Sequence, residues 1–355
     1  MAIPVATIEP ALPCVTVVIP ARDEQIFIGR NLDAVLAQDY PADRLEVLVA
    51  DGGSADATRD IVHRVAERVA REGGGARVRL IDNPGRIMST GANAAIRSAA
   101  GEVIVLLGGH AWLPAHYVRT CVTALLANDV DVAGGTLETV GDGPMGEAIA
   151  AALASPFGIG NSGFRTLRSG EPIEVDTVAY GAYRRDVFER VGLFDESMVR
   201  HQHYELNHRL RSAGGTILLI PDLRAVYHAR SSLTELWRQY WLSGVWKGRL
   251  LGRRPASVRM RHLAPSLFAV GLLGSAIGMI VWPPFIVLFG LLFGAYLGFI
   301  VVALASFVWR GKWRLLPLLP LVLACLHFGY GLGVWAGLAR PVAPSVPRLP
   351  ATPRA

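Results

Sequence analysis

The stretch GEVIVLLGGHAWLP, Gly101 to Pro114, decides how the rest of the chain is read. Its apolar run, Val103 to Leu107, stops abruptly at Gly108-Gly109-His110. A short apolar run bounded by glycine reads as a buried strand. Two glycines at its end clear the space where backbone and a ligand would approach each other closely. What stands at position 110, and what is missing at 108, therefore bears on chemistry as well as on fold.

Working outward, three similar runs precede this one: Val15 to Pro20, Leu45 to Ala50 and Val78 to Ile81. Helical periodicity separates them. Gln25 to Gln38 carries Ile28, Leu32, Val35 and Leu36 on one face. After a turn at Asp51-Gly52-Gly53, with Ser54 or Asp56 as cap, Ile61, Val62, Val65 and Val69 align, and Gly73-Gly74-Gly75 ends the helix. Ile87 to Ala100 is a small-residue helix that can pack closely. Strands alternating with helices of roughly a dozen residues predict an α/β sheet with parallel strands. Ligands of such sheets sit beyond the strand C-termini, where Asp23, Glu24, Asp51 and His110 fall. Downstream the pattern loosens. It predicts a strand at Val175 to Tyr180, a helix at Tyr183 to Val191, a GLFDE turn, a helix at His203 to Ala213 and a strand at Thr216 to Ile220.

The chain has 355 residues, 52% of them hydrophobic, and a net charge of +6. That is too apolar for an ordinary soluble domain. The positive charge gathers at Lys247, Arg249, Arg253, Arg254, Arg259 and Arg261, just ahead of the apolar last third. This placement favours a membrane surface over nucleic acid. Spans at Leu263 to Trp282, Phe285 to Val308 and Leu315 to Leu338 each reach the ~20 residues needed to cross a bilayer. They hold no Asp, Glu, Lys or Arg, which argues against a transporter, and His327 reads as a packing residue. The basic residues before Leu263 and at Arg310, Lys312 and Arg314 predict a cytoplasmic face. Leu233 to Leu251 reads as an amphipathic helix lying in the membrane interface, a helix packed into the core being the alternative. The three cysteines, Cys14, Cys121 and Cys325, form no C-x-x-C pair, and the N-terminus shows no signal-peptide pattern; both suit a cytoplasmic domain.

VTVVIPARDE (Val15–Glu24), LEVLVADGGSADAT (Leu45–Thr58) and NPGRIMSTGANAAIRSAAGE (Asn83–Glu102), in this order and spacing, resemble the nucleotide-sugar half of family 2 glycosyltransferases. SPFGIGNSGFR, EPIEVDTVAYGAYRRDVFERVGLFDE, YELNHRLRSAGG and YHARSSLTELWRQYWLSGVWK are similar to the succinoglycan-type exopolysaccharide glycosyltransferases. The resemblance covers about Val15 to Leu267. It implies a GT-A (Rossmann-like, α/β) domain over 15–230, behind a tail at 1–14. An interface segment at 231–262, three transmembrane helices at 263–338 and a Pro-rich tail at 339–355 follow. It further implies a multi-pass cell-membrane enzyme that moves a sugar, with inversion, from a nucleotide diphosphate (a UDP-sugar) to a lipid-linked polyprenyl acceptor. The implied nucleotide-sugar contacts are Pro20, Arg22, Glu24, Asp51, Arg86, Asn93 and Gly109. Among them Asp51 would meet the uracil or ribose and Arg86 the ribose or diphosphate.

The sequence departs from that family at two points. The Asp-x-Asp or Asp-x-His that would hold Mg²⁺ or Mn²⁺ reads Gly108-Gly109-His110, leaving His110 as the one metal-ligand candidate. The acid pair whose Asp would deprotonate the acceptor reads Gln202-His203. His203, with a free pKa of about 6.5, stands as the base; Glu205 is the other candidate but points elsewhere on a helix. Histidines at 110 and 203 are expected on opposite sides of one sugar. The Q-x-x-R-W of processive synthases is absent after Gln239, so one sugar per encounter is expected. The alternative is a scaffold that keeps the fold but does not turn over.

Overall fold

The computed structural model describes residues 12–339, apart from 161, 168, 254 and 256–262. In chain order the first half contains β1 (Val15–Ala21), α1 (Ile28–Leu36), β2 (Leu45–Asp51), α2 (Thr58–Glu72), β3 (Arg77–Asp82), α3 (Met88–Ser98), β4 (Val103–Leu106), β5 (Ala111–Trp112) and α4 (Tyr117–Asn128). There follow β6 (Val132–Val140), α5 (Gly143–Leu153), α6 (Pro156–Ile159), α7 (Gly163–Thr166), β7 (Ile173–Glu174), β8 (Ala179–Arg184), α8 (Asp186–Val191), α9 (Gln202–Ser212) and β9 (Ile217–His228). The chain then turns helical: α10 (Leu233–Arg253), α11 (Ala264–Val281), α12 (Phe285–Trp309) and α13 (Leu319–Leu338).

One sheet runs β3-β2-β1-β4-β8-β6-β9-β5, with β7 on β9. The β3, β2, β1 and β4 half is parallel, as predicted. Both faces of β1 are covered, because its residues alternate between two cores. Val15, Val17 and Ile19 face α1 and α4, while Val18 joins Leu48 and Ala50 beneath α3, α8 and α9. Small residues bring α3 close: a Cβ on Gly91 would lie 3.3 Å from Ala50. Helix α2 ends on Gly73 at φ +65°, in the left-handed region that favours glycine. Its first cap is Ala57, not Ser54 or Asp56, although Asp56 does accept the Thr58 N–H at 3.0 Å.

The second half departs from the parallel pattern of the first: β8 is antiparallel to both neighbours, β4 and β6. It also starts at Ala179, beyond most of the predicted Val175–Tyr180 strand. Its residues Ala179, Gly181 and Ala182 are small, which weakens the strand signal, yet smallness is required. A Cβ on Gly181 would press to 3.0 Å from Val132 on β6. Strand β9 runs to His228, past Pro221, because its pairing with β6 steps from Gly135–Ile220 to Thr136–Arg224. The bulge expels the residue that cannot donate to the ladder.

Helices α11, α12 and α13 are long and apolar enough to cross a membrane. Most of the exposed large apolar side chains among the described residues lie on α11 and α12. Helix α10 sharpens another expectation. Its apolar face, assigned from sequence to the membrane interface, packs along α13. A Cβ on Gly248 would overlap the Val334 carbonyl, and one on Gly337 the Val245 carbonyl, so the two backbones touch. Arg254, Arg259 and Arg261 of the basic segment, the tail beyond 339 and residues 1–11 lie outside the described residues. His327 is the packing residue expected: its ring nitrogens lie 3.1 Å from the Tyr296 hydroxyl and 2.8 Å from the Phe157 carbonyl. It thereby ties α13 to α6.

Candidate active site

Four loops meet beyond the C-terminal ends of β1, β2, β3 and β4. Pro20 is the penultimate residue of β1, and the loop that follows, carrying Arg22, Asp23 and Glu24, is laced to the loop before α2. Asp23 N–H donates to Ser54 Oγ (2.9 Å), Ala55 N–H to Asp23 Oδ1 (2.8 Å) and Glu24 N–H to Thr58 Oγ1 (2.8 Å). At the end of β2 the Asp51 side chain is fully buried. It accepts from Gly53 N–H (3.1 Å), the Ser54 hydroxyl (2.5 Å) and Arg59 (2.8 Å). Burial alone would push this carboxyl up; the Ser54 hydroxyl, Arg59 and the Ser54 N–H outweigh it and hold the group below the usual range. Arg22 packs against Gly52, and the exposed Arg86 hangs over the same turn, its Nε 3.6 Å from where a Gly53 Cβ would be. Asp23 and Arg86 both hold positive φ, +55° and +60°. Arg22, Asp51 and Arg86 are thus brought together as expected.

Beyond β4, His110 Nδ1 lies 2.9 Å from Glu24 Oε1. Gly109 is what lets Glu24 in, since a Cβ there would come to 3.0 Å from Glu24 Cγ. Asn31 clamps this turn from α1, donating to the carbonyls of Gly108 (2.9 Å) and Ala111 (2.6 Å). Sequence reasoning missed Asn31, although an asparagine inside the Ile28–Leu32–Val35 stripe was a visible signal. The donors here fit a divalent cation poorly. One imidazole and one carboxylate are hydrogen-bonded to each other, position 108 offers nothing, and no group of three or more potential ligands forms among the described residues.

Two expected site residues are otherwise engaged. Asn93 is wholly buried: its amide donates to Phe194 O and Glu196 Oε1, and its oxygen accepts the Phe194 N–H, each at 2.9 Å. It clamps the GLFDE turn instead of facing a ligand. Glu205, 1% exposed, forks onto Arg209 at 2.9 and 3.1 Å. Arg209 in turn holds the carbonyls of Val191, Gly192 and Leu193. Glu205 therefore fixes α9 to the same turn, with its carboxylate engaged by Arg209.

His203, on the first turn of α9, lines a cavity of about 660 Å³. The cavity runs from Tyr180 and Tyr227 on the sheet past Tyr204 and Lys247 to Pro265, Leu326 and Tyr330 on the apolar helices. The His203 ring meets Phe194 edge-on at 5.3 Å, with no hydrogen-bond partner among the described residues. Burial lowers its pKa to about 4, so the ring is neutral with a lone pair to offer at neutral pH. That value is close to the ~3.9 of an ordinary aspartate, so the better match to neutral pH expected of a histidine is lost. Tyr180 and Tyr227 stand between the two histidines. Both line the cavity with His203; Tyr180 is what a Cβ on Gly108 would first meet, at 3.7 Å, and the Tyr227 ring is 5.7 Å from that of His110.

Residues 16–192 match the sequence profile of glycosyl transferase family 2. The chain is 28% identical over 331 residues to the succinoglycan biosynthesis protein ExoA of Rhizobium meliloti (strain 1021), covering 91% of this chain and 94% of that one. It is 24% identical over 332 residues, 92% and 97% of the two chains, to a dolichyl N-acetyl-alpha-D-glucosaminyl phosphate 3-beta-D-2,3-diacetamido-2,3-dideoxy-beta-D-glucuronosyltransferase of Methanococcus voltae. Among solved structures, the mannosyltransferase PcManGT of Pyrobaculum calidifontis, in complex with GDP-Man and Mn²⁺, superposes with a TM-score of 0.53 at 18% identity, over 92% of this chain and 87% of that one. That likeness is one of fold, and it makes the sheet described above GT-A-like.

Proposed function

The chain carries a glycosyl transferase family 2 domain over residues 16–192, and on that premise we propose that it moves one sugar, with inversion, from a nucleotide diphosphate sugar to a lipid-linked acceptor at a membrane. The carrying observation is the cavity that joins His203 to the apolar helices without a break. A donor over the Arg22, Gly52-Gly53 and Arg86 loops would present its sugar toward Tyr180 and Tyr227. An acceptor held in the membrane would reach the same point from the other end.

In this reading a ring nitrogen of His203 takes the proton of the acceptor hydroxyl as its oxygen attacks the anomeric carbon. The bond to the nucleoside diphosphate breaks on the opposite face, and the leaving group keeps the electron pair. His110 donates from Nδ1 to Glu24 and, only in its doubly protonated form, from Nε2 to the departing diphosphate; these steps route through no metal ion. Arg22 and Arg86 supply the positive charge. A UDP-sugar is the first donor to try, and the GT-A-like domain faces the cytoplasm. A binding scaffold without turnover is the second reading, favoured by the missing carboxylate at Gly108.

The test uses the full chain in lipid nanodiscs with a panel of UDP- and GDP-sugars and a polyprenyl-diphosphate-sugar acceptor. His203→Gln is expected to lower turnover at least about a hundredfold while leaving donor affinity near wild type. Unchanged turnover in that variant removes His203 as base; no transfer from any donor leaves the scaffold.

A further inference from the structure

The cavity carries cations that donor chemistry does not use. Lys247 is 3% exposed on α10, and its ammonium lies 3.8 Å above the ring of Tyr204. Arg165, on α7, places its guanidinium 5.1 Å from the Tyr227 ring centre, with Nη1 3.4 Å from Thr139 Oγ1. Both side chains line the cavity, where Asp176 is the one carboxylate among the described lining residues. The surplus of positive charge extends beyond the wall. Burial first, and then the nearby charges of Arg230 and Arg238, hold the Arg200 guanidinium below its usual range. A guanidinium and an ammonium on the wall of one half-enclosed cavity, with two cations against one described lining carboxylate, leave it net positive and suited to an anionic group.

Another part of the lining has other chemistry. Pro265 opens α11, Phe299 lies on α12, and Leu326 and Tyr330 lie on α13, all on helices long and apolar enough to cross a bilayer. One ligand that satisfies both has an anionic head and a long apolar tail. A guanidinium fork and an ammonium together match phosphate oxygens. We propose that Lys247 and Arg165 bind the phosphate groups of a polyprenyl-phosphate or polyprenyl-diphosphate acceptor, whose chain leaves between the apolar helices. This rests on the transferase reading above and assigns the acceptor's anchoring group to named residues. The tyrosine shelf of Tyr180 and Tyr227 then sets how far the reacting hydroxyl stands from that phosphate.

The test measures equilibrium binding to the full chain in detergent micelles, with undecaprenyl diphosphate, undecaprenol, inorganic pyrophosphate and UDP as separate probes. Undecaprenyl diphosphate is expected to bind at least about tenfold tighter than undecaprenol, and UDP is expected not to displace it. Lys247→Gln is expected to weaken undecaprenyl diphosphate about tenfold or more, the usual cost of one charge-assisted contact. Arg165→Gln should do the same, and it decides the matter if the α10 variant fails to fold. Folded variants that bind the lipid as wild type does overturn the proposal. So does displacement by UDP, which would make this the donor's site, or equal affinity for pyrophosphate, which would make it a site for a free anion. Lipid binding that depends on Lys247, with no sugar transferred from any donor, sinks the transferase reading and leaves the phosphate site standing. Transfer to the lipid-linked acceptor with an unchanged KM in Lys247→Gln does the reverse.

Discussion

Replacing Asp51 by asparagine separates two roles that this carboxylate could have. By resemblance it is a nucleotide contact; by geometry its side chain has no exposed surface and anchors the turn after β2. Its partners Gly53 N–H, Ser54 N–H and Arg59 are all donors, at 3.1, 3.2 and 2.8 Å from Oδ2. Only the Ser54 hydroxyl, 2.5 Å from Oδ1, can turn round and accept. An asparagine would therefore aim its NH₂ at Ser54 and keep its carbonyl on the other three, preserving the count of bonds but losing the charge. Removing one member of a buried ion pair costs ~3–5 kcal/mol. Arg59 is 38% exposed and keeps Asp82 at 3.0 Å, so it rehydrates easily. The loss should then be about 2 kcal/mol, close to that of one charge-assisted hydrogen bond. For a domain of this size that is a fall in Tm of roughly 4–8 °C. The lowered folded-state pKa contributes stability above the unfolded pKa and loses it as pH falls through the folded value, so at pH 7.5 the whole effect is present. Tryptophan-fluorescence melting of wild type and Asp51→Asn at that pH, alongside calorimetric titration with UDP, reads both roles. An unchanged Tm with UDP binding abolished would refute the anchoring argument, because the carboxylate would then be spent on the ligand.

Three further outcomes follow from the same geometry. Gly108→Asp should be tolerated, since a Cβ there meets nothing nearer than Tyr180 at 3.7 Å, and it should make turnover rise with Mn²⁺ and fall with EDTA. EDTA abolishing transfer by the wild type would show the His110–Glu24 arrangement has been misread. Gly248→Leu should part α10 from α13, because its side chain would overlap the Val334 carbonyl. Overpacking of this kind costs ~1–3 kcal/mol, and transfer to a lipid-linked acceptor should fall further than UDP binding does. Acid should destabilise the protein through His203. The unfolded chain takes up this proton near pH 6.5, whereas the folded chain refuses it until about pH 4, so stability is lost as pH falls between the two. The loss is about 2 kcal/mol by pH 5; His203→Gln should lack that part of the decline, and parallel Tm-versus-pH curves for the two proteins would contradict it.

The first four strands are legible to within a residue or two: β1, β2 and β4 because parallel strands buried on both faces are near-continuous apolar runs, and the edge strand β3 because Val78, Leu80 and Ile81 still stand out among its exposed residues. Strand β8 is not, since the residues that fit it between β4 and β6 are small and say little by themselves. Helix α10 shows the limit of periodicity. The spacing of Leu233, Leu236, Trp237, Tyr240 and Gly244 reveals an apolar face but not whether lipid or α13 covers it. Site residues behave in the same way. Glu24, Asp51 and His110 lie at the strand ends where the strand-end rule puts them, whereas Asn93 and Glu205 bond to the protein itself, which no spacing discloses. Lys247 was counted with a basic run, and only the packing of α10 turns it into a cavity wall.

His203 carries the comparison one step further. By the family resemblance, His203 stands where an acid is expected and is the group better suited to take a proton at neutral pH. In the fold, burial brings that group down to about 4, near the value of the aspartate it replaces by resemblance. The exchange therefore alters charge, and burial takes away the histidine's advantage over a free carboxylate at neutral pH. A neutral base that accepts a proton in a half-enclosed site must form a buried cation, and an anion close by has to steady it. The protein offers little there: Glu205 is held by Arg209, and Asp176 is the one carboxylate among the described lining residues. The remaining anions are those the substrates bring, a diphosphate on the donor and a phosphate on the acceptor. His203 should thus become an effective base only once both are bound, which makes transfer, and not donor hydrolysis, the reaction this site favours.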